Sequence, residues 1–365
     1  MKRSLRKHSK WYLFLIVILV VGCWFFFSNK GEETGELKVT KTPIERSESL
    51  LHTACQIQIF HDGDQAIQAM RESFDYIKDM EDQLGTYNEG SDVYRINENA
   101  GKGPVKVGDA AFDVIKKGCE YAEKTNGRLD ITIGAVVRLW RIGSEDARKP
   151  EDWEIKEALK KIDYKKVKLN EEEHTVELLE KGMAIELGAI SKGYIADGIK
   201  AIMQRHGVRS AIVNLGGNVL VLGTSPSNSE GWRIGIQNPD ETRGDTIGSE
   251  RVKDSSVVTS GIYEQYLQVG DTKYHHILNP QTGYPVENNL SGVTIFSKTS
   301  VNGDALSTSA FLYGLEDGMA FINQLDGVEA VFITKDHKVY VTDGLKGHFK
   351  VNHKEYQLQL SLIHI

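Results

Sequence analysis

Two stretches carry residue types that could do chemistry together. Tyr274-His-His-Ile-Leu-Asn-Pro-Gln-Thr-Gly-Tyr-Pro285 sets imidazoles beside a turn rich in Pro and Gly, and Asn302-Gly-Asp-Ala-Leu-Ser-Thr308 sets a carboxylate and a hydroxyl four residues apart. At that spacing Asp304 and Thr308 share one face of a helix. Hard oxygen donors suit magnesium, which also takes water and substrate phosphate oxygens. A backbone carbonyl near Ala189 would complete the protein's share. Asp304 has a second reading, as a cap at the start of the apolar run behind it. If 274–278 is a strand, His275 and His276 face opposite ways, so that one packs and the other, for which His276 is the candidate, meets a ligand. Pro280, Gly283 and Pro285 stiffen the loop that follows. Together these stretches resemble a site for a metal-bound phosphate ester.

Three further blocks are rich in small or hydroxylic residues. Glu186-Leu-Gly-Ala-Ile-Ser-Lys-Gly193 runs from an apolar segment into small residues, which let a ligand approach the backbone, and Lys192 could offset phosphate charge. Asn214-Leu-Gly-Gly-Asn218, with Gly216 and Gly217, forms a glycine turn between two strand-like runs. Thr259, Ser260 and Gly261 form another turn beside a strand, with hydroxyls for phosphate or for backbone bonds. None of these blocks matches the dinucleotide fingerprint or the Gly-rich loop ending in Gly-Lys-Ser/Thr, which argues against a standard Rossmann enzyme or a P-loop NTPase.

The elements that would position these blocks are mixed. Asp64 to Leu84 has Ile67, Met70, Phe74, Ile77, Met80 and Leu84 at helical spacing, and Val107 to Thr125 has Phe112, Ile115, Cys119 and Ala122 on one side. Lys192 to Gln204, Leu306 to Tyr313 and Glu316 to Asn323 read as helices. Strands are expected at 55–60, 183–187, 211–221 around the glycine turn, 232–237, 256–259, 263–269, 292–296, 329–334 and 339–342, with a hairpin over 167–179. Helices and strands do not alternate strictly, so the expected class is α+β with largely antiparallel sheets and packed helices, and the length allows one large domain or two closely joined lobes.

The front of the chain predicts where the body works. Lys2, Arg3, Arg6, Lys7 and Lys10 precede an almost wholly apolar run, Trp11 to Phe27. This is the pattern of an export signal or an anchor with its basic end in the cytoplasm. Val20-Val21-Gly22-Cys23 resembles a lipoprotein processing box, with Cys23 as the lipidated residue; an uncleaved anchor is the other reading. Both put the body on the outer face of a bacterial cytoplasmic membrane. The expected divisions are 1–27 signal or anchor, 28–45 tether, 46–346 catalytic domain and 347–365 a C-terminal extension or edge strand. Cys55 and Cys119 sit in apolar patterns and read as buried free thiols. A formal charge of -7 argues against nucleic-acid binding, which leaves a basic footprint.

Taken in order, the blocks resemble the flavin transferase family, whose members move FMN from FAD onto a protein. The resemblance runs from Thr53 through Tyr87 with Ser91 to Asn97, Arg128 to Gly134 with Leu139-Trp140, Glu186 to Gly193, Asn214 to Gly217, Thr259 to Tyr263, His276 to Pro285 and Asp304 to Thr308. Two departures stand out: Leu51-His52-Thr53 where many relatives have Met-Gly-Thr, and Asn279 where many have Asp. The resemblance implies that Thr53, Tyr87, Asp130, Lys192, Gly216, Gly217, Thr259, Ser260, Gly261 and His276 help hold FAD. It implies that the carbonyl of Ala189, with Asp304 and Thr308, holds Mg2+ against the pyrophosphate. His276 is the candidate base, with Asp304 its rival. The implied acceptor is a Thr or Ser hydroxyl on an exported or membrane-bound protein with an FMN-binding domain, and the implied by-product is AMP. The alternatives are an FAD pyrophosphatase and a non-enzymatic flavin-binding lipoprotein.

Overall fold

Nine strands stand side by side in chain order. They are β1 (Val39–Leu50), β2 (Thr53–His61), β3 (Ala211–Leu215), β4 (Asn218–Leu222), β5 (Ser256–Gly261), β6 (Leu290–Ser297), β7 (Glu329–Thr334), β8 (Lys338–Val341) and β9 (Gln357–Leu358). Neighbours are antiparallel except β8 and β9, which are parallel. This computed structural model describes residues 37–241 and 244–359. From Val39 onward the described residues belong to a single unit, with no division into separate lobes.

The excursion from β2 to β3 carries most of the helices: α1 (Asp64–Leu84), α2 (Asp92–Glu98), α3 (Asp109–Lys124), α4 (Gly134–Trp140), α5 (Asp152–Leu159) and α6 (Ser191–Arg205). Between β6 and β7 come α7 (Ser300–Tyr313) and α8 (Leu315–Ile322). The period-two alternation of β5 sorts its two faces. Val258 meets Gly303 of α7 on one side, while Val257 joins Phe296, Val331, Ile333, Val339 and Tyr356 in a core on the other. Helix α7 is buried on nearly all sides, as a helix inside a core rather than on its surface must be. A smaller core of Val136, Trp140, Ile155, Ala158 and Leu278 ties α4 and α5 to the loop after His276. Trp140 Nε1 donates to the Gly283 carbonyl at 2.8 Å.

The expected α+β class holds, and the two long amphipathic helices lie where their periodicity put them. Several details differ. Residues 39–45 belong to β1, so the fold begins inside the expected tether. Residues 183–187 form no strand; Ala184 makes an isolated bridge to Ile133 and the segment is buried irregular chain. Ile67 is 47 % exposed, because Ala66, Ala69 and Met70 carry the buried stripe instead. Phe349 and Tyr356 are buried in the main core and Gln357–Leu358 forms the edge strand β9, so of the two readings of the C-terminal stretch the edge strand holds for its described residues. Cys55 and Cys119 are free thiols. The expected signal or anchor 1–27 and Cys23 lie outside the described residues, as does most of the tether.

Candidate active site

Helices α6 and α7 cross at their first turns, and each takes a carboxylate from the other. Asp197 of α6 accepts the Ser300 and Val301 amides at 2.8 and 2.9 Å. Asp304 of α7 accepts the Gly193 amide through Oδ2 at 2.8 Å. Gly193 makes the approach possible, since a Cβ there would stand 2.3 Å from the Ser300 carbonyl oxygen. Gly193 is the third residue of α6, among the first amides of a helix that have no partner within it, and Asp304 supplies that partner. No backbone amide of the described residues takes the carbonyl oxygen of Ala189, which lies two residues before α6.

Asp304 is interior to α7, with 4 % of its surface exposed, so it does not cap its own helix. It lies at the amide-rich end of α6, where a negative charge is favoured. Burial pushes its pKa up, against the pull of the Lys192 ammonium, the Gly193 amide and Asn218. Thr308 lies one turn further along the same face. Its Oγ1 meets Ser260 Oγ at 3.2 Å, and Ser260 also meets Ser307 Oγ at 2.8 Å. Lys192 Nζ donates to the Gly188 carbonyl at 3.1 Å. Its charge also favours the ionised form of Glu186, whose pKa burial raises, and opposes protonation of His276.

The glycine turn closes another side. Gly216 and Gly217 join β3 to β4 with φ of 63 and 96°, the left-handed pair that a two-residue hairpin requires. Gly216 donates to the Ala54 carbonyl, and a Cβ on it would strike Thr53 Oγ1 at 2.2 Å. Thr53 and the two glycines are thus neighbours. The β1–β2 turn has Leu51 and His52 at φ 53 and 56° with no glycine. The departure from Met-Gly-Thr thus falls on a left-handed position that a glycine would occupy without strain.

The two histidines differ in burial, although the strand ends at His275 rather than running on to 278. His275 ends the strand Thr272–His275, is 9 % exposed, and bonds the Val286 carbonyl through Nε2 at 3.1 Å. Its ring stands edge-on to Phe311. His276 is half-buried, with Nδ1 3.2 Å from the Gln265 carbonyl oxygen. A carbonyl only accepts, so Nδ1 carries the proton and Nε2 keeps its lone pair. Burial holds the His276 pKa below the usual 6.5, leaving a neutral imidazole near pH 7.

Other expected residues fall elsewhere or do different work. Asp130 is 6 % exposed, and its oxygens accept from the Thr132 amide, the Thr132 hydroxyl and the Tyr164 amide. These three bonds fix the turn before α4. Thr259 bonds Thr294 Oγ1 at 2.8 Å across the strands, on the face opposite Ser260 and away from α7. Gly261 shares that face with Thr259 and leaves room for the Tyr263 ring. Tyr87 is 62 % exposed, beside Glu186. Asp197, Asn218 and Ser300 were not among the expected site residues, although all three brace the crossing. Their roles depend on contacts 82 to 104 residues away in sequence, and no local motif announces them.

Among the described residues no three His, Cys, Asp or Glu side chains cluster as a metal site. The Asp304 carboxylate and the Thr308 hydroxyl lie one turn apart on α7, and the Ala189 carbonyl before α6 has no backbone donor among the described residues. All are hard oxygens, and they fit a cation that completes its shell from water and a phosphate ligand.

Comparison with known proteins bears on the chain as a whole. The model of the ApbE family matches residues 51–332. The FAD:protein FMN transferase of Treponema pallidum is 32% identical over 328 residues, covering 86% of this chain and 91% of the relative. The protein of the same name from Klebsiella pneumoniae is 35% identical, covering 78% and 88%. A crystal structure of the apbe protein from Thermotoga maritima superposes with a TM-score of 0.77 at 30% identity, covering 84% of this chain and 98% of the other. The flavin transferase ApbE from Vibrio cholerae does so with a TM-score of 0.73 at 26% identity, covering 84% and 99%.

Proposed function

Because this chain belongs to the ApbE family, we propose that it is an FAD:protein FMN transferase, moving the FMN moiety of FAD to a Thr or Ser hydroxyl of an acceptor protein and releasing AMP. The observation that carries the reading is the buried Asp304 carboxylate held at the first amides of α6, with the Lys192 charge acting on it and the Thr308 hydroxyl one turn along α7.

Ala189, Asp304 and Thr308 would hold magnesium, which when bound offsets charge on the diphosphate. Lys192 adds a positive charge at the same end of α6, suited to phosphate oxygens. The turn at Gly216 and Gly217, with Thr53, lets the substrate approach the backbone closely. His276 Nε2 accepts the proton of the incoming hydroxyl as its oxygen bonds to the FMN phosphorus and the phosphorus–oxygen bond to AMP breaks. Asp304, turned to the Gly193 amide and the cation, is the weaker candidate for base. The acceptor would be an exported or membrane-bound protein with an FMN-binding domain, reached by a body tethered through Cys23 on the outer face of the cytoplasmic membrane.

The test is intact mass of candidate acceptor domains after incubation with the protein, FAD and magnesium. An FMN-sized gain on a Thr or Ser, with one AMP released per adduct, is the expected result. FMN and AMP formed with no adduct on any acceptor would replace the transferase with a pyrophosphatase. Bound FAD with no AMP at all would leave only a flavin-binding protein.

A further inference from the structure

Asn218 opens β4 directly after the glycine turn and is 1 % exposed. Its Oδ1 accepts from Ser300 Oγ at 2.5 Å, and Ser300 Oγ accepts in turn from Ser256 Oγ at 3.0 Å. The Asp304 carboxylate beside this side chain sets which end of the amide points where, because Oδ1 would repel it and Nδ2 can donate to it, which leaves Oδ1 for the Ser300 hydroxyl. The amide nitrogen is thereby turned away from Ser300. It makes no hydrogen bond of ordinary geometry, although the Asn218 side chain lies against the Asp304 carboxylate. A fully buried amide donor left loose is costly unless some state of the protein uses it.

We infer that Asn218 is a positioning residue for Asp304, its amide nitrogen closing onto the carboxylate once a divalent cation engages the opposite side. The inference rests on the reading of Asp304 as a metal ligand and extends it one residue outward. Groups that orient a metal ligand in this way typically change metal affinity by about 10- to 100-fold when removed. Ser300 acts one step further back, by holding the Asn218 amide in its orientation.

The test is a titration of Mn2+ into the full chain carrying one equivalent of FAD, with free ion read by electron paramagnetic resonance, alongside thermal unfolding of the metal-free protein. Asn218→Ala is expected to weaken Mn2+ binding about tenfold or more. Ser300→Ala, which keeps the amide but frees it to turn, is expected to weaken it by a smaller factor. A purely structural role predicts the reverse, a lowered unfolding temperature in both variants with Mn2+ affinity unchanged, and that result would overturn the assignment. Should the native protein bind Mn2+ no better than Asp304→Asn, the metal reading itself falls and this inference with it. Tight native binding with an unaffected Asn218→Ala removes Asn218 alone.

Discussion

Asp197 and Asp304 occupy matching places, each on the first turns of one helix and each turned to the amides of the other, yet they have different capacity left over. Asp197 gives one oxygen to each of two amides and is used up by the fold. Asp304 gives Oδ2 to a single amide at hydrogen-bonding distance, while Asn218 and the Lys192 amide reach the carboxylate only more loosely. The same contrast recurs nearby. His275 is fixed between Val286 and Phe311, whereas His276 keeps Nε2 available. Thr259 is spent on Thr294, whereas Ser260 turns to α7 and Thr308. In each pair one member is held by packing and its partner is less fully engaged.

The sharpest way to break the comparison is to remove charge from each aspartate in turn. Asp304→Asn keeps an oxygen for the Gly193 amide but loses the carboxylate, and turnover is expected to fall on the order of 10³-fold or more, equivalent to about 4 kcal/mol. Asp197→Ala removes a shared helix cap and is expected to lower stability by about 1 kcal/mol, with kcat close to native. Steady-state kinetics and denaturant unfolding on both variants decide it. Equal losses of turnover would erase the distinction between the two carboxylates.

The histidines separate under both mutation and acid. His276→Gln is expected to cost roughly 10²- to 10⁴-fold in kcat with FAD affinity little changed. Because burial depresses its pKa, the neutral base persists below pH 6.5, and the acid limb of kcat should lie lower than for a free imidazole. His275 should be seen in stability instead. Burial lowers its pKa from 6.5 to about 4 in the folded state. Between those values the unfolded chain binds a proton that the folded one refuses, so stability is full above pH 6.5 and is lost as pH falls towards 4. Two and a half decades of protonation amount to on the order of 3 kcal/mol. Urea unfolding of His275→Gln across this range should show a shallower decline than the native protein with kcat little changed, whereas His276→Gln is set apart by its loss of kcat. A His275→Gln slope equal to the native one would mean that the packing of this ring does not set the decline.

Much of this was legible in the chain, and the part that was not has a common cause. Period and composition located the long helices and most strands, because Phe74, Ile77, Phe112 and Ile115 answer to burial within their own element. Asp304 and Thr308 were legible as a pair because helix geometry alone joins i and i+4. The true start of α7 was not. Its cap is supplied by Asp197 from another helix, and Thr299 caps nothing through its own side chain, so the local signal that marks a helix start is missing. Asp130 and Thr259 show the same thing in reverse: each looks unpartnered in sequence, and each has a hydrogen-bond partner that only the tertiary fold supplies. The segment 183–187 is apolar enough for a strand, but it lies between the Ile133 bridge and Asn97, whose amide bonds both backbone groups of Ile185. A side chain there replaces the partner strand.

The smallest expected effect tests the contrast at its finest grain. Ser260 and Thr259 are adjacent on β5 and point to opposite faces, so the strand itself is a control. Ser260→Ala deletes the hydroxyl that meets both Ser307 and Thr308, leaving Thr308 less firmly oriented. Roughly tenfold or less is expected in kcat, at the low end for a group that supports a ligand, with a raised magnesium requirement. Thr259→Val keeps the side-chain shape and removes one cross-strand hydrogen bond; about 1 kcal/mol of stability is expected to go, with magnesium dependence unmoved. Magnesium titration of the rate is the discriminating measurement, because a general loosening of β5 would shift both variants alike, whereas orientation of Thr308 through Ser260 shifts only one.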